Sequence, residues 1–409
     1  MVSSDEPGSR GSEWPATLDV GALLAAGWRP TPFRQFILKV HSRCNLKCTY
    51  CYMYEMADQN WMKQPRRMAK PTIDKVAERI AEHARTHALP AIDVILHGGE
   101  PLLAGIEHLR YAVGALRSAV DPPTRITFHV QTNGVLLDAN FLDLFDELDV
   151  LLGISLDGYQ ESHDLRRTRA DGRGSYQAVA AALDRLNAPR YRHLFSGLLA
   201  TVDPGADPLR TYEALLAFEP PSIDFLLPHG NWDAPPPGLP APGRTPYADW
   251  LIAIFDRWYR APVQRTRIRM FLEIMRMLGG RPSRSEALGL SPVAVTVIET
   301  DGSIELVDTL KSAYDGASGT RLHVFRDDFD SALMLPPFAA RQIGVAALSP
   351  QCRRCEVHQV CGGGLYPHRY RAGRGFRNPS VFCADLLRLI DHIQRVMAED
   401  LADLTGVRG

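Results

Sequence analysis

The stretch HSRCNLKCTYCYMY, residues 41–54, carries three cysteines within eight positions. Cys44, Cys48 and Cys51 have the spacing C-x3-C-x2-C and come directly after a predicted strand at 36–41. Three thiolates on one loop can hold three irons of a [4Fe-4S] cube and leave the fourth iron open. A structural zinc site is the rival interpretation, although such a site closes with four ligands and this loop supplies three cysteines.

Composition limits the partners and the location that we expect. The chain has 409 residues, of which 45% are hydrophobic, so it can bury a large core. Its 46 Lys and Arg residues nearly balance its 47 Asp and Glu residues, and we expect neither nucleic acid nor a membrane as a partner. Six of the seven cysteines fall into two tight clusters, a pattern that favours metal or redox chemistry in the cytoplasm over a disulfide framework.

Short β-branched runs alternate with amphipathic segments over the first half of the chain. The predicted strands are 36–41, 91–97, 125–131, 150–156, 195–202 and 222–228, with helices at 73–84, 105–120, 138–148, 175–187 and 208–218. Strand-helix repetition predicts parallel strands with crossover helices, an α/β fold whose six units curl into a partial barrel. The functional site should lie in the loops at the carboxyl ends of the strands.

A Pro-rich segment at 233–246 interrupts this rhythm. Helices are predicted at 247–260 and 264–279, followed by a hairpin in VAVTVIETDGSIELV (293–307) and a long helix at 385–404. We expect four regions, namely a flexible lead-in at 1–34, the barrel at 35–232, a linker with bridging helices at 233–290, and a C-terminal domain at 291–409.

Four more cysteines lie in the C-terminal region. Cys352, Cys355 and Cys361 have the spacing C-x2-C-x5-C, and Cys383 follows in SVFCADL. Four thiolates can close a second metal site completely, and on spacing alone both zinc and an iron-sulfur cluster remain open.

The loop CNLKCTYC resembles the signature of the radical S-adenosylmethionine (SAM) superfamily, including Tyr50 before the last cysteine. The resemblance implies that the open iron binds SAM, which is cleaved to a 5'-deoxyadenosyl radical, and that the cofactor supplies this chemistry while the protein orients it. It also implies that Gly98, Gly99 and Glu100 of HGGEP bind the methionine amine of SAM and that Arg166 pairs with its carboxylate.

Further polar residues stand at predicted strand ends, where loops form the site of such a barrel. The candidates for SAM contacts are Gln131, Asn133, Ser155 and Asp157. Asn133 and Asp157 also precede glycines, so each can instead be an ordinary turn residue.

The C-terminal cysteines resemble the SPASM domain, an extension that carries auxiliary clusters in radical SAM enzymes acting on peptides. Two further cysteines of that pattern are replaced by Val307 and Leu365. The resemblance therefore implies one auxiliary [4Fe-4S] cluster, held by the four cysteines above. It also implies that Asp308 takes a proton from the substrate, with its pKa tuned towards neutrality; the alternative is a hairpin-end aspartate that binds local backbone.

Three longer stretches resemble the FxsB family of peptide maturases: residues 36–61, residues 299–317 and VCGGGLYPHRYR (360–371). The resemblance implies a radical oxidoreductase that joins an aromatic ring carbon of a precursor peptide to the Cβ of a residue two positions later, a three-residue cyclophane. An external one-electron donor such as a flavodoxin or ferredoxin would be needed. The alternatives are thioether formation, oxidation of Ser or Cys to formylglycine, or a non-catalytic iron-sulfur scaffold that binds peptides.

Overall fold

The computed structural model describes residues 13–240 and 242–405. The strands are β1 (Gln35–His41), β2 (Leu46–Cys48), β3 (Ala91–Gly98), β4 (Arg125–Thr132), β5 (Val150–Ser155), β6 (Arg167–Arg169), β7 (Phe195–Thr201), β8 (Ser222–Leu226), β9 (Arg267–Ile268), β10 (Val295–Ile298), β11 (Ser303–Glu305) and β12 (Gly319–His323). The helices are α1 (Val20–Ala25), α2 (Lys70–Thr86), α3 (Ile106–Ala119), α4 (Ala139–Glu147), α5 (Gln160–Arg166), α6 (Tyr176–Leu186), α7 (Pro208–Leu216), α8 (Pro246–Tyr259), α9 (Arg269–Leu278), α10 (Phe329–Leu333), α11 (Pro336–Ala339), α12 (Pro350–Arg353), α13 (His358–Cys361) and α14 (Cys383–Thr405). None of these helices combines the length and the apolar character needed to cross a bilayer.

Ten strands form one sheet in the order β12-β11-β10-β1-β3-β4-β5-β7-β8-β9. Each neighbouring pair from β1 through β8 is parallel, and helices connect the consecutive strands. The predicted α/β class with six parallel strand-helix units is confirmed.

The alternation along β3 explains how one strand serves both the core and the site. Ile92, Val94 and Leu96 are buried in the hydrophobic core. Because successive side chains of a strand point to opposite faces, Ile95 and His97 instead line the interior of the barrel.

The predicted hairpin exists, but it does not belong to a separate sheet. β10 pairs in parallel with β1, Gln35 opposite Val295, while β11 returns antiparallel to β10. Gly302 has φ +100° in the turn, a conformation that side chains rarely adopt. The boundary predicted at residue 291 therefore lies inside one continuous structure, and the hairpin places the residues after β11 beside β1.

Two predicted regions differ from the structure. Residues 13–34 are not a flexible lead-in, because α1 forms there and the carbonyl of Trp14 accepts a hydrogen bond from the Phe376 backbone N–H (3.2 Å). The first part of the predicted lead-in, residues 1–12, lies outside the residues that the structure describes. The helix predicted at 264–279 begins at Arg269, because Arg267 extends the sheet opposite Ser222.

Candidate functional site

The three cysteines of residues 41–54 line one cavity at the carboxyl ends of the barrel strands. Antiparallel pairing of β2 with β6 fixes their loop, with Cys48 opposite Arg167. The cavity has a volume of about 180 Å³. Its walls contain many of the predicted site residues, namely Cys44, Cys48, Tyr50, Cys51, Gly98, Gly99, Gln131, Asn133 and Ser155. Glu100, Asp157 and Arg166 do not line it.

The spacing of the thiols distinguishes a single metal ion from a cluster. Zinc-thiolate bonds of about 2.3 Å place the sulfurs of one zinc site about 3.8 Å apart. Across residues 13–240 and 242–405, no three cysteine sulfurs lie within 4.8 Å of one another. The donor set therefore fits an iron-sulfur cluster better than one zinc ion.

Gly98 and Gly99 let β3 approach the cysteine loop closely. A Cβ at Gly98 would meet the His41 carbonyl oxygen at 2.1 Å, and one at Gly99 would meet the Tyr54 hydroxyl at 1.8 Å. The Gly99 backbone N–H donates to the same His41 carbonyl at 2.9 Å. Backbone packing is a sufficient reason for both glycines, and their contact with SAM stays a prediction.

Glu100 lies behind the cavity wall and is completely buried. Its carboxylate accepts hydrogen bonds from the Leu102 backbone N–H (3.0 Å), the Thr132 hydroxyl (2.6 Å) and the Asn133 backbone N–H (2.8 Å). Burial raises the pKa of Glu100, and these donors oppose that rise. Glu100 thus joins the ends of β3 and β4, and its side chain does not reach into the cavity.

Two strand ends place amides in the cavity wall. Gln131 Nε2 donates to Ser155 Oγ at 3.0 Å. Asn133 Nδ2 donates to Asn45 Oδ1 at 2.8 Å and lies 3.7 Å from Cys44 Sγ, while its Oδ1 accepts from the Val135 backbone N–H. Asn133 is therefore both a turn residue and a support for the cysteine loop.

A buried network connects Tyr50, Asp157 and Arg167. The Tyr50 hydroxyl donates to Asp157 Oδ2, and Arg167 Nη1 donates to the Tyr50 hydroxyl at 2.6 Å. Asp157 Oδ1 accepts a hydrogen bond from the Thr201 backbone N–H at 2.9 Å, so this carboxylate connects Tyr50 of the cysteine loop to the end of β7. Arg167 Nε is buried with no hydrogen-bond partner among the described residues, and Arg167 lines the cavity.

The structure places Arg166 outside the cavity. Its Nε and Nη2 both lie 2.9 Å from Asp203 Oδ2 on the protein surface. Arg167 is thus the arginine that faces the cysteines, and sequence reasoning missed it. The dipeptide Arg166–Arg167 offers two equivalent residues, and only the start of β6 decides which one turns inward.

Asp308 is buried in the first turn after β11. Its Oδ2 lies 2.9 Å from Lys39 Nζ and 3.9 Å from His97 Nδ1, and its Oδ1 lies 3.6 Å from Lys311 Nζ. Burial raises its pKa, but the Lys39 and Lys311 ammonium groups outweigh burial and hold the pKa of Asp308 at about 2. The expectation of a pKa tuned towards neutrality is therefore wrong, and Asp308 is ionised at neutral pH.

Lys311 completes this charge network. Its ammonium group contacts Glu299 and lies 3.1 Å from Glu305 Oε2. Burial raises the pKa of Glu305 to about 7, partly offset by Lys311. The carboxylates of Glu299, Glu305 and Asp308 lie close enough to hold a metal ion, but the Lys311 ammonium already serves as their cation.

Three cavities meet at His97, a residue that sequence reasoning also missed although it begins HGGEP. His97 lines the cysteine cavity, a barrel cavity of about 1110 Å³ and a cavity of about 500 Å³ that contains Asp308. Burial lowers the pKa of His97 to about 4, so its imidazole is neutral at pH 7. The space beside the cysteines therefore adjoins two larger cavities.

The C-terminal cysteines form a second group. Burial, together with nearby Cys383 and Cys352, raises the pKa of Cys361 to about 12. Cys355 packs at the edge of the hydrophobic core. The glycine that follows Cys361 has φ +59°, and a Cβ there would meet the Gly289 carbonyl oxygen at 1.8 Å. No three of these four sulfurs lie within 4.8 Å of one another, so this group also fits a cluster better than one zinc ion.

Comparisons with known proteins agree with this site. A family profile described as the Radical SAM superfamily matches residues 38–204. The cysteine-type anaerobic sulfatase-maturating enzyme of Clostridium novyi (strain NT) is 24% identical over 358 residues, which are 84% of this chain and 90% of that enzyme.

Two solved structures share the fold. The structure of anSMEcpe with bound AdoMet has a TM-score of 0.75 at 21% identity and covers 90% of this chain and 98% of its own. Streptococcus suis SuiB bound to its precursor peptide SuiA has a TM-score of 0.54 at 14% identity, over 89% of this chain and 78% of that one. At these identities the likeness shows the fold alone.

The family match confirms two predictions, that the protein is an enzyme and that its cofactors are SAM and [4Fe-4S] clusters, with the four C-terminal cysteines consistent with an auxiliary cluster. The individual SAM contacts, the number of clusters and the specificity for a cyclophane are not tested by these comparisons and stay predictions.

Proposed function

We propose that this chain is a radical SAM peptide maturase that joins an aromatic ring carbon of a precursor peptide to the Cβ of a residue two positions later. The observation that carries this proposal is the meeting of three cavities at His97. A peptide in the barrel cavity would lie next to both the cysteine cavity and the cavity that contains Asp308.

Cys44, Cys48 and Cys51 hold the SAM-binding cluster, and the free donors of Arg167 bind the SAM carboxylate. Together, the bound cluster and SAM supply a 5'-deoxyadenosyl radical when reduced. Cys352, Cys355, Cys361 and Cys383 hold an auxiliary cluster, whose chemistry is one-electron transfer.

Asp308 acts as the proton acceptor. Formation of the ring-to-Cβ bond removes two hydrogens from the peptide. The first leaves as a hydrogen atom that the 5'-deoxyadenosyl radical would take, and the second leaves the ring as a proton that goes to Asp308 and an electron that the auxiliary cluster would accept. A ring that has lost its aromaticity is a strong acid, so a weakly basic carboxylate suffices. Asp308 is already ionised, which is the protonation state this role requires.

Oxidation of a Ser or Cys side chain to formylglycine is the second candidate. The relative from Clostridium novyi, which is named as a cysteine-type sulfatase-maturating enzyme, favours it. On Cys this reaction replaces sulfur by oxygen as well as removing two hydrogens, so the product mass separates it from the crosslink. On Ser it removes only two hydrogens, so the mass of the product does not separate the two candidates. The position of the modification in the peptide separates them.

The test is co-expression with the neighbouring small open reading frame, followed by incubation of the purified precursor with reconstituted enzyme, SAM and a one-electron reductant. We expect a peptide that has lost two hydrogens and resists fragmentation between the two linked residues. Deuterium placed on the acceptor Cβ should appear in 5'-deoxyadenosine. A product that reacts with hydroxylamine would identify an aldehyde and support formylglycine formation, whereas failure to cleave SAM would support a non-catalytic scaffold. A flavodoxin or ferredoxin as physiological donor, and a cytoplasmic location, stay predictions.

A further inference from the structure

Five arginines line the wide barrel cavity, in contrast with the balanced charge of the whole chain. They are Arg267, Arg269, Arg276, Arg281 and Arg284. Only two carboxylates line the same cavity, and both are engaged: Asp224 pairs with Arg269, and Glu273 accepts a hydrogen bond from the Arg284 backbone N–H at 2.8 Å. The cavity wall therefore carries an excess of positive charge.

Four of these arginines are exposed. Arg269 pairs with Asp224, and the other three, Arg267, Arg281 and Arg284, are here named the arginine rim. Within residues 13–240 and 242–405, their guanidinium groups form no hydrogen bond or ion pair. A guanidinium group binds a carboxylate through two parallel hydrogen bonds. Three guanidinium groups that line one cavity therefore suit a ligand that carries several carboxylates.

The cavity extends from the rim to the reaction site. Its inner wall includes His97 and Gln131, which also line the cysteine cavity. Arg267 pairs in register with Ser222 at the start of β8, whereas Leu226 at the end of β8 lines the cysteine cavity. The four steps along β8 from Ser222 to Leu226 span roughly 13 Å, which an extended peptide covers in about four residues.

We propose that the arginine rim binds carboxylates of the peptide substrate, which therefore carries acidic groups about four residues from the residue that reacts. This inference rests on the proposed function, because it names the class of peptide that the same site accepts. The carboxylates can belong to Asp and Glu side chains or to the C-terminus of the peptide, and the chemistry is the same.

The test uses the complete reconstituted enzyme with SAM and three fluorescein-labelled ten-residue peptides of one Gly, Ser and Phe framework. The first carries three Glu residues and an amidated C-terminus. The second has Gln at those positions and a free C-terminal carboxylate, and the third has Gln and an amide. Fluorescence anisotropy gives Kd at low and at high salt.

We expect the first or the second peptide to bind at least about ten-fold more tightly than the third, with a preference that weakens as salt screens it. The stronger of the two identifies the source of the carboxylate. The double variant Arg281→Glu/Arg284→Glu should lose the preference, while Arg125→Glu/Arg260→Glu, which makes the same charge change at exposed arginines outside the cavity, should keep it.

Equal affinity for all three peptides would overturn the inference. An equal loss of the preference for carboxylate-bearing peptides in both double variants, with Tm unchanged, would also overturn it. Both results concern binding alone. A peptide that binds through its carboxylates but is never modified would instead contradict the proposed function and leave the rim as a carboxylate-binding site.

Discussion

Lys39 Nζ lies 2.9 Å from Asp308 Oδ2, and both side chains are almost completely buried. Lys39 belongs to β1 and Asp308 follows β11, so the pair exists only because the hairpin joins the barrel sheet. Removing one partner of a buried pair leaves an uncompensated charge and costs about 3–5 kcal/mol. The pair therefore links the charge state of the proposed base to the geometry of the whole sheet.

Replacement of Asp308 by Asn should abolish peptide modification, by at least about a hundred-fold, because the amide cannot accept the ring proton. SAM cleavage should persist, since Asp308 does not line the cysteine cavity. Mass spectrometry of the peptide and chromatography of 5'-deoxyadenosine measure the two activities separately. Asp121→Asn, at an exposed aspartate, is the matched control. Full cyclisation by the Asp308 variant would dismiss its role.

The pH dependence of modification should change in Lys39→Met. In the native protein the pKa of Asp308 is about 2, so its titration does not affect the rate between about pH 5 and 8. Without the nearest ammonium group, burial dominates and the pKa rises, so the rate should fall as pH decreases and recover at high pH. A rate profile identical to that of the native enzyme would contradict this prediction.

Acid stability provides an independent readout of the same pair. A carboxyl pKa that is lowered by folding contributes stability above its unfolded value near 3.9, and this stability is lost as pH falls through about 2. Lys39→Met should therefore unfold at a higher pH than the native protein. Circular dichroism during acid titration measures the difference, with Lys75→Met as control, because Lys75 is partly exposed and pairs with Glu78 on the surface.

Arg167 and Arg166 offer a matched pair of neighbours. Arg167→Lys should raise the apparent Kd for SAM by about thirty-fold, because losing a charge-assisted hydrogen bond in a buried site costs about 2 kcal/mol. Arg166→Lys should leave the affinity nearly unchanged, since Arg166 pairs with Asp203 outside the cavity. Equilibrium dialysis with labelled SAM measures the Kd of both variants. A larger loss of affinity in Arg166→Lys than in Arg167→Lys would support Arg166 as the residue that pairs with the SAM carboxylate, as predicted from sequence.

A methyl group at Gly99 should disrupt the cysteine loop. The new Cβ would overlap the Tyr54 hydroxyl and the Arg43 backbone, so Gly99→Ala should lower Tm and the rate of SAM cleavage together. Gly114→Ala is the control: it lies in α3 with open space around its Cβ, and it should stabilise the protein by about 0.5–1 kcal/mol. Thermal unfolding of both variants tests the contrast.

Iron content should report the number of clusters. With four irons per cluster, the native enzyme should bind about eight irons per chain, and Cys352→Ala should bind about four. That variant should still cleave SAM but should not form the crosslinked peptide. A native content near twelve would show a third cluster and contradict the loss implied by Val307 and Leu365.

The sequence by itself determined the fold class and the metal chemistry. Period-2 strands alternating with amphipathic helices follow from local side-chain patterns, and the three cysteines before a strand-helix unit occupy one loop whatever the rest of the chain does. HGGEP predicted contact with the methionine amine of SAM; Gly98 and Gly99 line the cysteine cavity, and this contact stays a prediction.

Only the tertiary structure decided which polar residues face the cavity and how they are charged. Whether Arg166 or Arg167 points inward depends on the first residue of β6. Glu100 turns away from the cavity because the Thr132 hydroxyl and the Asn133 backbone N–H, at the end of β4, and the nearby Leu102 backbone N–H donate to it there. The pKa of Asp308 depends on Lys39, which is 269 positions away in the chain and adjacent in space. Such contacts arise from long-range strand pairing, which local sequence patterns do not encode.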